Sequence, residues 1–94
     1  SAPQHKHQLV SQRALLQSWL PHFTHADRRV RINCIWAINS LTWIEDERDR
    51  SPARDRYHAL MQAGIAHAVR LLANDDDRDV RERVRTATRQ MESL

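Results

Sequence analysis

The chain has 94 residues, 40% of them hydrophobic and 29% charged, with a formal net charge of +3. That is enough for one small domain and too apolar for disorder, and no apolar run approaches the roughly 20 residues that span a bilayer. A single cysteine, Cys34, excludes an internal disulfide and a cysteine zinc cluster and suits a reducing cytosolic or nuclear compartment, while a single glycine excludes a glycine-rich phosphate loop.

Abundant Glu, Gln, Arg, Leu and Ala favour helices over strands. Residues 1–7 contain no apolar stretch and are expected to be a disordered tail or an expression remnant. The remainder, 8–94, divides into a partial first unit over 8–43, an acidic loop over 44–52 and a terminal unit over 53–94. In chain order, residues 8–20 predict a helix stopped near Pro21. Asp27 can cap a second helix running to about Trp43, because its carboxylate can accept from the first free amides. Residues 44–52 predict a charged loop, and Ser51 before Pro52 a helix start. That helix should end near Ala63, with Gly64 as punctuation. Ile65 to Ala73 predicts a short helix, and Asn74 to Asp77 a turn that caps the last helix over 78–93.

The most informative feature is an internal similarity at an offset of fifty. Residues 26–41 align without gaps on 76–91, with Asp27, Arg28, Val30, Arg31 and Ala37 recurring as Asp77, Arg78, Val80, Arg81 and Ala87. The register extends back to Leu15, Leu16 and Trp19, which fall on Ile65, Ala66 and Val69. Two such copies predict two helical units that bury their faces by stacking, in a right-handed solenoid. In the first long helix Val30, Cys34, Ala37 and Leu41 form one stripe, expected to be the unit's own core. Ile32, Ile35, Ile38 and Thr42 form a second, so the helix should lie between neighbours. In the last helix the first stripe persists as Val80, Val84, Ala87 and Met91. The second becomes Glu82, Arg85, Thr88 and Glu92, as a capping unit requires. At the other end, the apolar residues from Leu9 to Phe23 exceed what one following unit can cover. They predict further units before this one, and self-association of the chain through residues 9–23.

The segment Ile35-Trp36-Ala37-Ile38-Asn39-Ser40-Leu41 resembles the third helix of an armadillo repeat. Gly64-Ile65 with Leu71-Leu72 resembles the junction between that family's first two helices. Asn39-Ser40-Leu41-Thr42-Trp43, followed by Glu45-Asp46-Glu47 and later by Thr86-Ala87 and Gln90-Met91, is similar to the C-terminal end of the armadillo scaffold subunits of GID/CTLH ubiquitin ligases. The resemblance spans roughly residues 26–92. It implies an all-α, armadillo/HEAT-like right-handed helical solenoid of about two repeats with a C-terminal capping unit. The function it implies is that of an adaptor, holding ubiquitin-ligase subunits such as a substrate receptor. Armadillo grooves bind extended peptides with a Trp and an Asn four residues later, the Asn bonding the peptide backbone. Trp36 fits the Trp position, but Ser40 stands where that Asn would be. Asn39 lies one residue early, about 100° round the helix. The groove so implied presents Arg29, Asn33, Trp36, Asn39, Ser40 and Trp43, then Arg83, Thr86 and Gln90. It is polar and mildly basic, suited to a peptide bearing carboxylates.

Competing readings of the same residues remain open at this level. Trp36 and Trp43 are groove residues or core. Asn39 contacts a ligand or bonds a neighbouring helix end. The acidic loop 45–49 docks a basic partner or is a solvated turn, and Cys34 reads as an inert small hydrophobe. The six histidines show no paired spacing of the kind that holds zinc, so no metal site and no cofactor are expected. No nucleophile–base set suggests an enzyme. Residues 1–43 carry five basic residues and one acid, and 44–94 ten arginines and eleven acids, so most arginines lie beside carboxylates. That interleaving argues against nucleic acid. An arginine-rich nucleic-acid binder would require Arg28, Arg29, Arg31 and Arg83 on one surface free of acids. A purely structural cap or dimerisation end is the third alternative.

Overall fold

The computed structural model describes residues 13–94, all of whose regular structure is helical. The expected tail, and the part of the expected first helix over 8–12, lie outside the described residues. The described helices are α1 (Arg13–Gln17), α2 (Arg28–Thr42), α3 (Arg50–Gln62), α4 (Ile65–Leu71) and α5 (Arg78–Glu92). Short 3-10 turns span Leu20–Thr24, Glu47–Asp49 and Leu72–Asn74.

The caps fall where the side chains dictate. Asp27 accepts from the Arg29 amide at 2.9 Å, and Asp77 from the Val80 amide at 3.1 Å, each closing one free donor at a helix start. Gly64 takes a left-handed φ of +82° between α3 and α4, the one positive φ among the described residues, and turns the chain out of a helix without a Cβ penalty. Three local expectations are corrected. The first helix does not run to Pro21: α1 ends at Gln17, and Pro21 is the second residue of the 3-10 turn that starts at Leu20, where its missing N–H needs no partner. The segment 44–52 is not simply a loop. Asp46 accepts from the Arg48 amide at 2.7 Å and caps a 3-10 turn, so α3 begins at Arg50, before the Ser51-Pro52 pair. The α4 segment finishes as a 3-10 turn.

The fifty-residue similarity extends to the backbone hydrogen bonding. The Arg31 guanidinium donates to the carbonyls of His25 at 2.7 Å and Ala26 at 3.0 Å. Arg81 donates to those of Asp75 at 2.7 Å and Asp76 at 2.9 Å. The Asp27 amide donates to His25 Nδ1, and the Asp77 amide to Asp75 Oδ1, both at 2.9 Å. An arginine one turn into the helix thus organises the same turn before it each time.

One core runs through the described chain, from Leu16 and Phe23 through Ile35, Ile38 and Leu60 to Val80, Val84 and Met91. α5 packs chiefly on α2, α3 crosses from α2 to α4, and α4 backs α5. Ile35, Ile38 and Thr42 are buried. Val30, Cys34 and Ala37, expected to be the unit's own core, are only half-buried, although Leu41 at the end of that stripe is covered. The reason is positional: α5 closes the isoleucine side of α2, and no described helix closes the other. In α5 the pattern matches expectation except at one position. Val80, Val84, Ala87 and Met91 are buried, while Glu82, Arg85 and Glu92 face solvent and Thr88, expected with them, is half-buried.

Candidate functional site

α2 and α5 lie side by side, and a shallow open groove of about 520 Å³ runs between them, lined by Trp36, Asn39, Ser40, Trp43, Arg83, Thr86 and Gln90. Helical spacing places the α2 members together. Trp36, Ser40 and Trp43 recur at four- and three-residue intervals on one stripe, with Asn39 at its edge toward α5. Arg83, Thr86 and Gln90 form the matching stripe on α5. Seven of the nine residues expected to form a binding surface are therefore brought together.

Arg29 and Asn33 are not. Arg29 lies about 10 Å along the helix axis from Trp36. Its guanidinium is held by Asp27 at 2.9 Å, and this bond keeps the Asp27 carboxyl down at about 2. Asn33 lines a different groove, with Trp19, His22, Val30, Cys34 and Ala37.

Both tryptophans are more than half exposed, Trp36 at 56% and Trp43 at 57%. A buried tryptophan contributes to the core; two indoles left in water on one stripe, at the edges of a concave surface, are surface available to a ligand. Arg83 is the one titratable residue lining the groove, and no carboxylate faces it there. Its Nε is shut off from solvent without a hydrogen-bond partner, as is Asn39 Oδ1. The two atoms are a buried donor and a buried acceptor on residues that line the groove, each without a partner.

Gln90 has a different role from the one its position implied. Its Nε2 donates to the Asn39 carbonyl and to Thr42 Oγ1, both at 2.7 Å. Thr42 Oγ1 in turn donates to the Ile38 carbonyl at 2.8 Å. Gln90 therefore fixes the groove's two walls to each other. Asn39 receives this bond through its backbone carbonyl, while its side-chain oxygen has no partner.

Sequence reasoning missed Arg56. It is buried, at 5% exposure, and its Nε donates to the Leu41 carbonyl at 2.6 Å, at the C-terminal end of α2. A cation there meets the negative end of the helix dipole and an otherwise open carbonyl, while burial pulls its pKa down. It braces the end of α2 from which Trp43 projects. An arginine among many in an acidic stretch gave no signal of this.

The other arginines are largely committed. Arg28 pairs with Asp77 and Arg31 with Asp75, each at 2.9 Å, joining the start of α2 to the start of α5. Arg48 and Arg50 pair with Asp46 and Glu47 inside the acidic turn. The acid-free cluster of Arg28, Arg29, Arg31 and Arg83 that a phosphate backbone would need does not form, because three of the four hold carboxylates. Among the described residues no group of three or more His, Cys, Asp or Glu is placed to hold a metal ion, and no helix is long and apolar enough to cross a membrane.

Comparison with models of protein families, with curated proteins and with solved structures found no match to this chain.

Proposed function

We propose that the chain is a protein-interaction module, and that the α2–α5 groove binds an extended peptide segment bearing carboxylates. The observation that carries this reading is the pair of water-exposed indoles, Trp36 and Trp43, flanking a groove whose lining includes Arg83 and no acid. Indoles supply large contact area at low conformational cost, and Arg83 supplies a fixed counter-charge for an acidic side chain or terminus. Because Gln90 is occupied in the α2–α5 joint, the groove offers fewer backbone contacts than a Trp–Asn ladder would. Side-chain recognition therefore carries more of the affinity.

The finer reading is of stacked armadillo-type repeats at the end of a scaffold. In that reading the occupant is a subunit of a GID/CTLH-type ubiquitin ligase, such as its substrate receptor. The fifty-residue recurrence of caps and arginine-held turns, and the polar outward stripe of α5, support the stacked repeats, and the ligase occupant rests on the sequence resemblance alone.

The test is a peptide-display selection on the immobilised chain, repeated with Trp36→Ala/Trp43→Ala and with Arg83→Glu. Both indoles are largely exposed, so the double variant should melt like the parent. The expected result is enrichment of acidic peptides that bind the parent, lose affinity roughly tenfold or more with either variant, and weaken with salt. Equal peptide binding by parent and folded variants would refute the groove as the site.

A further inference from the structure

A second surface shares no described function with the groove. On the side of α2 away from α5, Trp19, Val30, Cys34 and Ala37 line a depression of about 260 Å³ whose exposed surface is mainly apolar. The fifty-residue recurrence identifies its counterpart. Val30, Cys34 and Ala37 correspond to Val80, Val84 and Ala87, and those three are 0%, 2% and 0% exposed. The same stripe is therefore sealed once in this molecule and left half-open once.

The sealed copy shows what seals it. α5 packs on α2, on α4 and on the 3-10 turn Leu72–Asn74; the last two have counterparts beside the open copy in α1 and the turn Leu20–Thr24, so a helix in the place of α2 is the cover that the open copy lacks. Asn39 and Thr42 face α5, since Gln90 bonds both, and Ile35 and Ile38 lie one turn before them on that face. At the other end of the joint the Arg28 guanidinium of the covering helix reaches the capping carboxylate of the covered one, Asp77, at 2.9 Å. The open copy retains that second feature: Asp27 is its capping carboxylate, and its present partner Arg29 is 82% exposed.

We propose that this face docks a partner helix that carries a β-branched stripe like Ile35–Ile38–Thr42, and an arginine two turns before that stripe, set against Asp27. His25 refines the specificity. It stands where Asp75 stands in the sealed joint and binds Arg31, and its Nδ1 accepts from the Asp27 amide. The open joint therefore accepts one partner arginine and lacks a carboxylate for the second. A second copy of this chain has no matching face to present. Its own isoleucine stripe is buried, and the outward side of α5 displays Glu82, Arg85 and Glu92.

Cys34 is the chain's sole cysteine and lines the depression, so its alkylation reports on occupancy. The probe is a lactam-bridged helical peptide copying residues 28–43 with Cys34→Ser, added to the intact chain. At saturation it should slow alkylation of Cys34 about tenfold. A peptide with Ile35→Glu and Ile38→Glu should give no protection. Asp27→Asn in the chain keeps a good capping side chain and removes the charge, so it should weaken the parent peptide several-fold with an unchanged melt. Ala37→Glu should abolish protection in a chain that still melts cooperatively. An unchanged alkylation rate up to the peptide's solubility limit would overturn the proposal. So would protection that rises with chain concentration alone and accompanies a doubled sedimenting mass, which would place a second copy on the face. Full affinity with Asp27→Asn would overturn the arginine contact.

Discussion

Gln90 is the residue on which the groove's shape most depends, and its removal has a calculable consequence. Gln90→Leu keeps most of the side-chain volume and deletes the Nε2 donor, leaving the Asn39 carbonyl and Thr42 Oγ1 without their 2.7 Å partner. Each net hydrogen bond contributes roughly 0.5–1.5 kcal/mol, so the variant should lose about 2 kcal/mol. For a domain of this size that is a melting shift of roughly 8 °C or more. Gln90→Glu should cost at least as much, because a carboxylate would face the Asn39 carbonyl and a hydroxyl already donating to Ile38. Urea denaturation of the parent, Gln90→Leu, Thr42→Val and the double variant forms a cycle. A coupling energy of about 0.5–1.5 kcal/mol is expected between the two positions. If Gln90→Leu lay within about 0.3 kcal/mol of the parent, with coupling near zero, the bond would not hold the joint. The account of the groove walls would then fail.

Three further outcomes follow from the same geometry. Gly64→Ala meets nothing within 4 Å, so no clash arises, but at φ +82° its backbone strain should cost about 1–2 kcal/mol by thermal melting. Arg56→Met keeps an unbranched apolar stem and deletes the charged bond to the Leu41 carbonyl. It should cost about 1.5–3 kcal/mol, partly offset by relief of the buried charge, and an unchanged urea midpoint would contradict the brace. Acid should destabilise the fold. Asp27, Asp46, Glu47 and Asp77 are held below their ordinary values, chiefly by side-chain bonds from Arg29, Arg48, Arg50 and Arg28 respectively. Depressed carboxylates contribute stability above their unfolded values, 3.8 for Asp and 4.5 for Glu, and lose it as pH falls through the folded ones, about 2 for Asp27. Melting temperature should thus be insensitive to these groups above about pH 5 and fall below it; a flat profile down to pH 2 would contradict these pairs.

Much of the helical layout was legible because its signals are local. Asp27 and Asp77 cap, Gly64 turns, and Val80, Val84, Ala87 and Met91 recur at the helical period, so each acts on residues within a turn or two of itself. Of the residues named from the armadillo resemblance, Trp36, Asn39, Ser40 and Trp43 on α2 lie beside Arg83, Thr86 and Gln90 on α5, while Arg29 and Asn33 do not join them. The recurrence at fifty residues did not give the exposure of Trp36 and Trp43, since periodicity places a residue on a face without saying whether another helix covers that face.

What the sequence determined by itself was the all-helical class, the capped starts of α2 and α5, and the polar outer side of α5. Tertiary structure alone decided the rest. Arg56 is buried because α3 crosses the end of α2, and Gln90 is committed because α5 lies close enough for a bond to Asn39 and Thr42. The Val30–Cys34–Ala37 stripe is half-open while its copy is sealed, because burial belongs to pairs of helices and not to either sequence alone. A propensity acts within one element. Contact, desolvation and exposure arise only where two elements meet.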